Sequence, residues 1–350
     1  MATPIKTEEE LYWSQYDFTK IPFDDIVSVG QRTLLYRDLF SISWLLGRFC
    51  NYKCSYCWPY ARSDKKDHRP TALNLATIDE IKKQARENGF NSFHFSLSGG
   101  EPTFHPGYLD MLQHLVDDVE NTNYTSVHMT TNMSRNLKWH QEYCDIVAQV
   151  HRASITASFH SEFAKKEEFA DKLLFCMEHD VQVTVNMVLV PEWFDRDWDV
   201  AMYFHKRGIN VTLKPQSDPT ASFVVDGYTK EQLVMMQNGM PQRDYTKVLQ
   251  KETGIKVVRP KPKVGMWKMD AQNGDDKSVP PVMQVEFQDS KGKKWYIDQA
   301  ERFNAFNFNK FKGWECTSGF KGIIIREPDG SIKRSYSCAD EPLGYVESGF

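Results

Sequence analysis

From residue 39 to residue 215 the chain alternates β-rich apolar runs with amphipathic stretches of helical period. That order restricts the fold more than any other feature, because strand–helix–strand repeats pack as a parallel sheet covered by helices. The expected strands are residues 39–46, 92–97, 126–131, 153–159, 181–190 and 210–215. The expected helices are residues 78–88, 108–119, 136–149, 162–179 and 197–207. The first helix carries boundary signals: Thr77 followed by Glu80 has the form of a capping box, and Gly89 offers a left-handed stop. Period alone fits an open doubly wound sheet and a β/α barrel equally.

What falls between these elements points to one end of the sheet. Cys50, Cys54 and Cys57 follow the first strand, Gly99-Gly100-Glu101-Pro102 follows the second, and Thr130-Thr131-Asn132 closes the third. Ser158 and His160 end the fourth strand, Asn186 lies within the fifth, and Lys214 and Gln216 end the sixth. Polar and glycine residues gathered at the carboxyl ends of successive strands are how β/α folds build active sites. Lys214 reads equally as a carboxylate partner and as a solvated rim lysine.

After about Pro219 the pattern changes. Residues 220–281 read as mixed helix and loop. From Val282 the sequence turns to β, with one hairpin over 283–297 around Asp289-Ser-Lys-Gly292 and a second over 322–337 around Pro328-Asp-Gly330. Cys316 and Cys338 flank the second hairpin, which suggests a small region with a metal site of its own. The expected organisation is therefore an extension over 1–38, a core over 39–219, a connection over 220–281 and a small carboxyl-terminal region over 282–350.

Composition bears on the cysteines. With 350 residues and 41% hydrophobic content, the chain buries a large core without covalent staples. Its seven cysteines are an odd number, and residues 1–38 are polar and charged, without the order of a signal peptide. A reducing cytoplasm is the expected compartment, and the thiols then serve as metal ligands or buried small residues, the latter fitting Cys144 and Cys176 in their helical stretches. No apolar run approaches the roughly 18 residues of a membrane helix. A net charge of −4 gives no specific nucleic-acid signal.

The run Cys50-Asn-Tyr-Lys-Cys54-Ser-Tyr-Cys57 has the spacing Cys-x3-Cys-x2-Cys, one ligand short of a closed four-ligand site. A structural zinc knot is the competing use, but zinc takes four protein ligands and no fourth cysteine or histidine stands close by. The spacing, its place after a first strand, the aromatic Tyr56 and Gly99-Gly100-Glu101-Pro102-Thr103 after the second strand resemble the radical S-adenosylmethionine (radical SAM) superfamily. The order Cys316, Gly330, Cys338 resembles the twitch or SPASM regions of some members.

That resemblance implies a partial (β/α)6 TIM-like barrel, an α/β fold, with a small hairpin-containing auxiliary region. It implies that Cys50, Cys54 and Cys57 hold a [4Fe–4S] cluster whose fourth iron chelates the methionine end of S-adenosylmethionine. Reductive cleavage would then give a 5′-deoxyadenosyl radical that takes hydrogen from a substrate. Tyr56 would sit beside the adenine. Gly99 and Gly100 would allow close backbone approach, with Glu101 or nearby carbonyls meeting the ammonium group and Pro102 completing the motif. Asn132, Ser158, His160 and Asn186 occupy positions from which the family contacts ribose, carboxylate or adenine; each also suits an ordinary capping role.

Cys316 and Cys338 would belong to an auxiliary cluster. Two cysteines do not complete one, so the chain reads as a fragment, or Cys144, Cys176, a histidine or a substrate group supplies the rest, or there is no such cluster. The implied partners are an electron donor such as flavodoxin or ferredoxin and a peptide, protein or small-molecule substrate. An iron–sulfur electron-transfer protein and a zinc-binding scaffold or regulatory protein are the alternatives from other classes.

Overall fold

The computed structural model describes residues 23–31, 39–220, 223–229, 232, 236, 285–297, 318–335 and 341–347. The chain divides into two compact units, one of Met1–Asp38 with Val264–Cys316 and one of Leu39–Lys263 with Thr317–Phe350. In the first, β1 (Ile26–Gln31) pairs antiparallel with β8 (Val285–Asp289), which pairs antiparallel with β9 (Lys294–Ile297). β8 and β9 are the first expected hairpin. The pairing of β1 with β8 has no counterpart in the local sequence pattern.

The second unit holds the large sheet. Its first strand is β2 (Leu39–Leu45), followed by α1 (Thr71–Glu87), β3 (Ser92–Ser98), α2 (Tyr108–Asp117), β4 (Tyr124–Thr131), α3 (Leu137–Val147) and β5 (Arg152–Phe159). Then come α4 (Lys166–Glu178), β6 (Gln182–Leu189), α5 (Phe194–His205) and β7 (Asn210–Pro215). β2 to β7 lie side by side in chain order and all run parallel. This decides between the two architectures that period left open. A doubly wound sheet reverses its strand order at a switch point, whereas an unreversed series of right-handed crossovers puts every helix on one face. The sheet does not close, so the fold is a partial barrel.

The strands show which face is which. In β5 and β6 burial alternates strictly, and in β3 it does so from Phe93 on, with Phe93, Phe95, Ile155, Ala157, Val185 and Met187 in the helix-covered core. Most intervening residues are polar: Ser96, Thr156, Ser158, Thr184 and Asn186 line the inner face, with Val188 an apolar exception. Two histidines there bridge neighbouring strands, His94 Nδ1 to Ser126 Oγ and His128 Nδ1 to Ser154 Oγ, each 2.8 Å. Burial holds both imidazoles neutral, with pKa values lowered to about 4.

The helices follow from their apolar stripes. α2 buries Tyr108, Met111, Leu112, Leu115 and Val116, the i, i+3, i+4, i+7, i+8 series. α3 buries His140, Tyr143, Cys144 and Val147, and its Asn136 N-cap accepts from Trp139 N at 2.9 Å. Cys144 and Cys176 are core residues of α3 and α4.

α1 departs from expectation. It begins at Thr71 with Pro70 at the N-cap, so Thr77 and Glu80 form no capping box. Thr77 Oγ1 instead donates to Leu73 O within the helix and accepts from Arg69 Nη1, both at 2.8 Å, while Glu80 accepts from Gln84. The buried positions of its first turns are Asn74 and Thr77 rather than apolar residues, so the hydrophobic period that marks a helix starts only at Ile78.

At the far end of α1, Lys82 Nζ (2.9 Å) and Arg86 Nη2 (2.8 Å) both donate to Asp118 Oδ2. Burial pushes the Asp118 carboxyl up, but hydrogen bonds from Lys82, Asn121 and Arg86 outweigh it and hold it at about 2. A depressed carboxyl contributes stability above its unfolded value and loses it as pH falls. Acid titration of the native protein should therefore show a loss between about pH 4 and pH 2; an Asp118→Asn variant with an identical acid limb would contradict this.

The second expected hairpin is present as β10 (Gly322–Arg326) and β11 (Ser331–Lys333), with β12 (Gly344–Tyr345) beyond. It belongs to the main sheet. β10 pairs parallel with β2, placing Ile323 opposite Ile42 and Ile325 opposite Trp44 in the shared core. Among the described residues no helix is long and apolar enough to cross a membrane.

Candidate functional site

Loop 46–70 leaves the carboxyl end of β2 and carries all three cysteines. It folds back on itself: Ser63 N donates to Arg48 O (2.7 Å), Cys50 N to Ser63 O (3.3 Å) and Cys57 N to Cys54 O (3.1 Å). The three thiols are half-buried and free. Burial pushes each up; Cys54, with the Glu162 carboxylate and the other thiols adding to the effect, reaches about 12. Near neutrality burial keeps these thiols protonated, and a bound metal would draw off their protons.

The segment after β3 runs against this loop. Leu46 N donates to Ser98 O (2.8 Å), Gly100 N to Gly47 O (3.1 Å) and Glu101 N to Phe49 O (2.6 Å). Gly99 has φ +142°, and a Cβ on it would stand 2.5 Å from Gly47 O. A Cβ on Gly100 would stand 2.2 Å from Phe49 O and 2.4 Å from Arg48 O. The paired glycines are thus required by the cysteine loop itself, whose backbone fills the space a side chain would need.

Glu101 is fully buried, and its carboxylate is engaged inside the protein. Oε1 accepts from Thr103 Oγ1 (2.6 Å), Thr131 Oγ1 (2.7 Å) and Thr103 N (3.2 Å); Oε2 accepts from Asn132 N (2.6 Å). The side chain therefore ties the end of β4 to the segment after β3. Pro102 opens the short 3-10 turn Pro102–Phe104 capped by Glu101, a position where its missing N–H costs nothing. Asn132 is also buried and reaches the cysteine loop, with Nδ2 donating to Asn51 Oδ1 (2.9 Å) and standing 3.9 Å from Cys50 Sγ.

The segment after β5 holds the loop from the other side. Glu162 accepts from Ser55 N (3.0 and 3.1 Å) and Ser55 Oγ (2.8 Å). Tyr56 OH lies 2.8 Å from His160 Nδ1, the two rings stack, and Tyr52 stacks on Phe163 with centroids 4.9 Å apart. Burial lowers the His160 imidazole to about 4, so near neutrality it is uncharged and can accept the Tyr56 hydroxyl proton at Nδ1. Ser158 and Asn186 are a registered pair across β5 and β6 on the inner face; neither side chain makes a hydrogen bond among the described residues. Lys214 is exposed at the end of β7.

The structure thus gathers Cys50, Cys54, Cys57, Tyr56, Gly99, Gly100, Glu101, Pro102, Asn132, Ser158, His160 and Asn186 at the carboxyl ends of β2 to β6. Cys316 and Cys338 lie outside the described residues. Sequence reading missed Glu162, whose role depends on a partner 107 positions away. It also passed over the hydroxyls of Thr103 and Thr131, although both adjoin motifs it singled out.

The placing of the three sulfurs does not suit a single zinc ion. Thiolates around one zinc stand roughly 3.8 Å apart, given Zn–S bonds of about 2.3 Å. Among the described residues the group whose ligand atoms gather within 4.8 Å of one another is His68, His105 and Glu327, and the three sulfurs are not such a group.

Residues 44–204 match the family model of the Radical SAM superfamily. No curated protein matches the chain. Similar solved structures include native anSMEcpe with bound AdoMet, 15% identical over 88% of this chain and 78% of that one with a TM-score of 0.48. The same protein with bound AdoMet and Cp18Cys peptide is 16% identical over 88% and 77%, with a TM-score of 0.45.

Proposed function

From the match over residues 44–204, we propose that this chain is a radical SAM enzyme in which Cys50, Cys54 and Cys57 hold a [4Fe–4S] cluster and the adjoining strand ends bind S-adenosylmethionine. The observation that carries the reading is the fit of one loop to its surroundings. Three free thiols sit on a backbone that only glycine at 99 and 100 can approach, at the carboxyl edge of an open parallel sheet with a polar inner face. A cluster held there and reduced by an external donor would supply the one electron that splits the sulfonium carbon–sulfur bond of S-adenosylmethionine into methionine and a 5′-deoxyadenosyl radical.

The protein's own groups place and enclose these cofactors. Glu101, with Thr103, Thr131 and Asn132, fixes the backbone after β3 and β4; Glu162 and the Tyr56–His160 pair fix the cysteine loop against β5. Ser158 and Asn186 have polar atoms free for a ligand on the inner face. A flavodoxin- or ferredoxin-type carrier would deliver the electron. Peptide or protein modification is the preferred substrate class, by the twitch- or SPASM-like order of Cys316, Gly330 and Cys338, which would serve a second cluster.

The test is anaerobic reconstitution with iron and sulfide, reduction with dithionite and addition of S-adenosylmethionine. Formation of 5′-deoxyadenosine above a protein-free control is expected; none from cluster-loaded protein refutes the enzyme reading.

A further inference from the structure

Glu327 directly follows β10 and lies 258 positions beyond Arg69 at the end of the cysteine loop, yet it is buried and accepts from that residue's backbone N–H. Oε1 accepts from Trp44 Nε1 (3.1 Å) and Asn74 Nδ2 (2.9 Å), and Oε2 accepts from Arg69 N (3.2 Å). Its own N–H donates to Leu45 O at 3.0 Å. Trp44 and Leu45 stand where the chain enters loop 46–70; Arg69 stands where it leaves, and Asn74 opens the following helix. One carboxylate therefore grips both ends of the segment that bears the three cysteines.

The same carboxylate faces the second motif. His105, which follows Gly99-Gly100-Glu101-Pro102-Thr103-Phe104, brings Nε2 to 3.8 Å from Glu327 Oε2. A metal ion between His68, His105 and Glu327 would be the obvious reading of this cluster, but both Glu327 oxygens already accept from Trp44, Asn74 and Arg69, and the Asn74 amide fills the space at His105 Nε2. Gly107 N donates to His105 Nδ1 at 3.1 Å, so a neutral His105 carries its proton on Nε2, which lies 3.1 Å from Asn74 Nδ2. The Asn74 amide cannot turn away, because its Oδ1 accepts from Arg69 Nη1 at 3.1 Å. A metal at Nε2 would displace that amide and break its bond to Glu327.

The tail adds a second hold. Glu347, near β12, accepts from Arg69 Nη2 (2.8 Å) and Nε (3.1 Å), so the Arg69 backbone is held by one tail carboxylate and its guanidinium by another. A carboxylate can accept from several N–H donors at once. A glutamine amide in its place has one acceptor oxygen and turns an NH2 toward at least one of these donors.

We propose that Glu327 is a positioning residue that sets the cysteine loop and the segment after β3 relative to one another, so that the carboxyl-terminal hairpin controls how well S-adenosylmethionine is cleaved. This rests on the function proposed above. The rate is expected to respond because displacements of about 1 Å at reacting groups can cost on the order of a hundredfold.

The experiment compares wild type, Glu327→Asp and Glu327→Gln after anaerobic reconstitution, with cluster content measured on each sample. 5′-Deoxyadenosine formation per cluster is followed across S-adenosylmethionine concentrations, and the electron paramagnetic resonance spectrum of the reduced cluster is recorded with and without it. Per-cluster turnover is expected to fall by about 10- to 100-fold in Glu327→Gln and less in Glu327→Asp, which keeps the charge with a shorter reach. The spectral change on adding S-adenosylmethionine should weaken in the same order. Equal per-cluster turnover and equal spectra in all three would overturn the proposal, as would losses that track cluster content alone. Where Glu327→Gln does not fold, the comparison of Glu327→Asp with wild type decides by the same criteria. Wild type that loads a cluster but cleaves no S-adenosylmethionine sinks the function itself, an outcome distinct from active wild type with indifferent variants.

Discussion

Replacing Cys54 with alanine is expected to bring S-adenosylmethionine cleavage to background and to lower the iron retained after reconstitution. The loss should exceed the 10- to 100-fold, roughly, that follows removal of a mere supporting partner of a metal ligand. Cys54 sits between the other two cysteines on a loop whose neighbours are already committed: Ser55 to Glu162 and Tyr56 to His160. Among the described residues the other cysteines are not placed to substitute, since Cys144 and Cys176 are core residues of α3 and α4. Cys144→Ala is the control and should retain iron. Iron content and 5′-deoxyadenosine yield in Cys54→Ala equal to those of Cys144→Ala would contradict the assignment of the loop as the cluster site.

Among the described glycines, Gly100→Ala should be the most damaging addition of a methyl group. The new Cβ would lie 2.2 Å from Phe49 O and 2.4 Å from Arg48 O. Both obstacles are backbone carbonyls of the cysteine loop and cannot swing aside as a flexible side chain can. Relief must come from moving the loop, which strains the Glu101 N to Phe49 O bond beside it. The expected cost is about 3 kcal/mol, the upper part of the overpacking range, or a fall in melting temperature of the order of 5–10 °C, together with poor iron loading. Gly89→Ala offers the contrast: its φ is +86° but no atom lies within 4 Å of the added methyl, so only the conformational cost of about 1 kcal/mol applies. Thermal melts and iron assays on the pair separate crowding from backbone conformation. Equal destabilisation with full iron loading in both would remove close approach as the reason for glycine at position 100.

Much of the central sheet was legible in the chain. Strands β3, β5, β6 and β7 fall within two residues of expectation, because an apolar residue at every second position is enough to define a strand with one buried face. α1 was misread at its start for a related reason. Asn74 and Thr77 occupy buried positions through hydrogen bonds with Arg69, and a polar residue buried by a distant partner leaves no hydrophobic mark. The candidate site divides the same way. Its cysteine spacing and paired glycines are local and stood out; Glu162 and Glu327 matter through partners 107 and 258 positions away, and nothing beside them in the sequence announces it.

By itself the sequence determined the strand–helix alternation, the three-cysteine spacing and the glycines at 99 and 100, all products of local period or of residue type. The tertiary structure alone decided that β2 to β7 stand in unreversed order, that β10 extends the sheet beside β2, and that the Glu101 carboxylate is turned inward. Those outcomes depend on which backbone edges and which buried donors meet across long separations. Hydrogen-bond satisfaction inside the fold imposes them, and a linear pattern of polar and apolar residues does not encode them position by position.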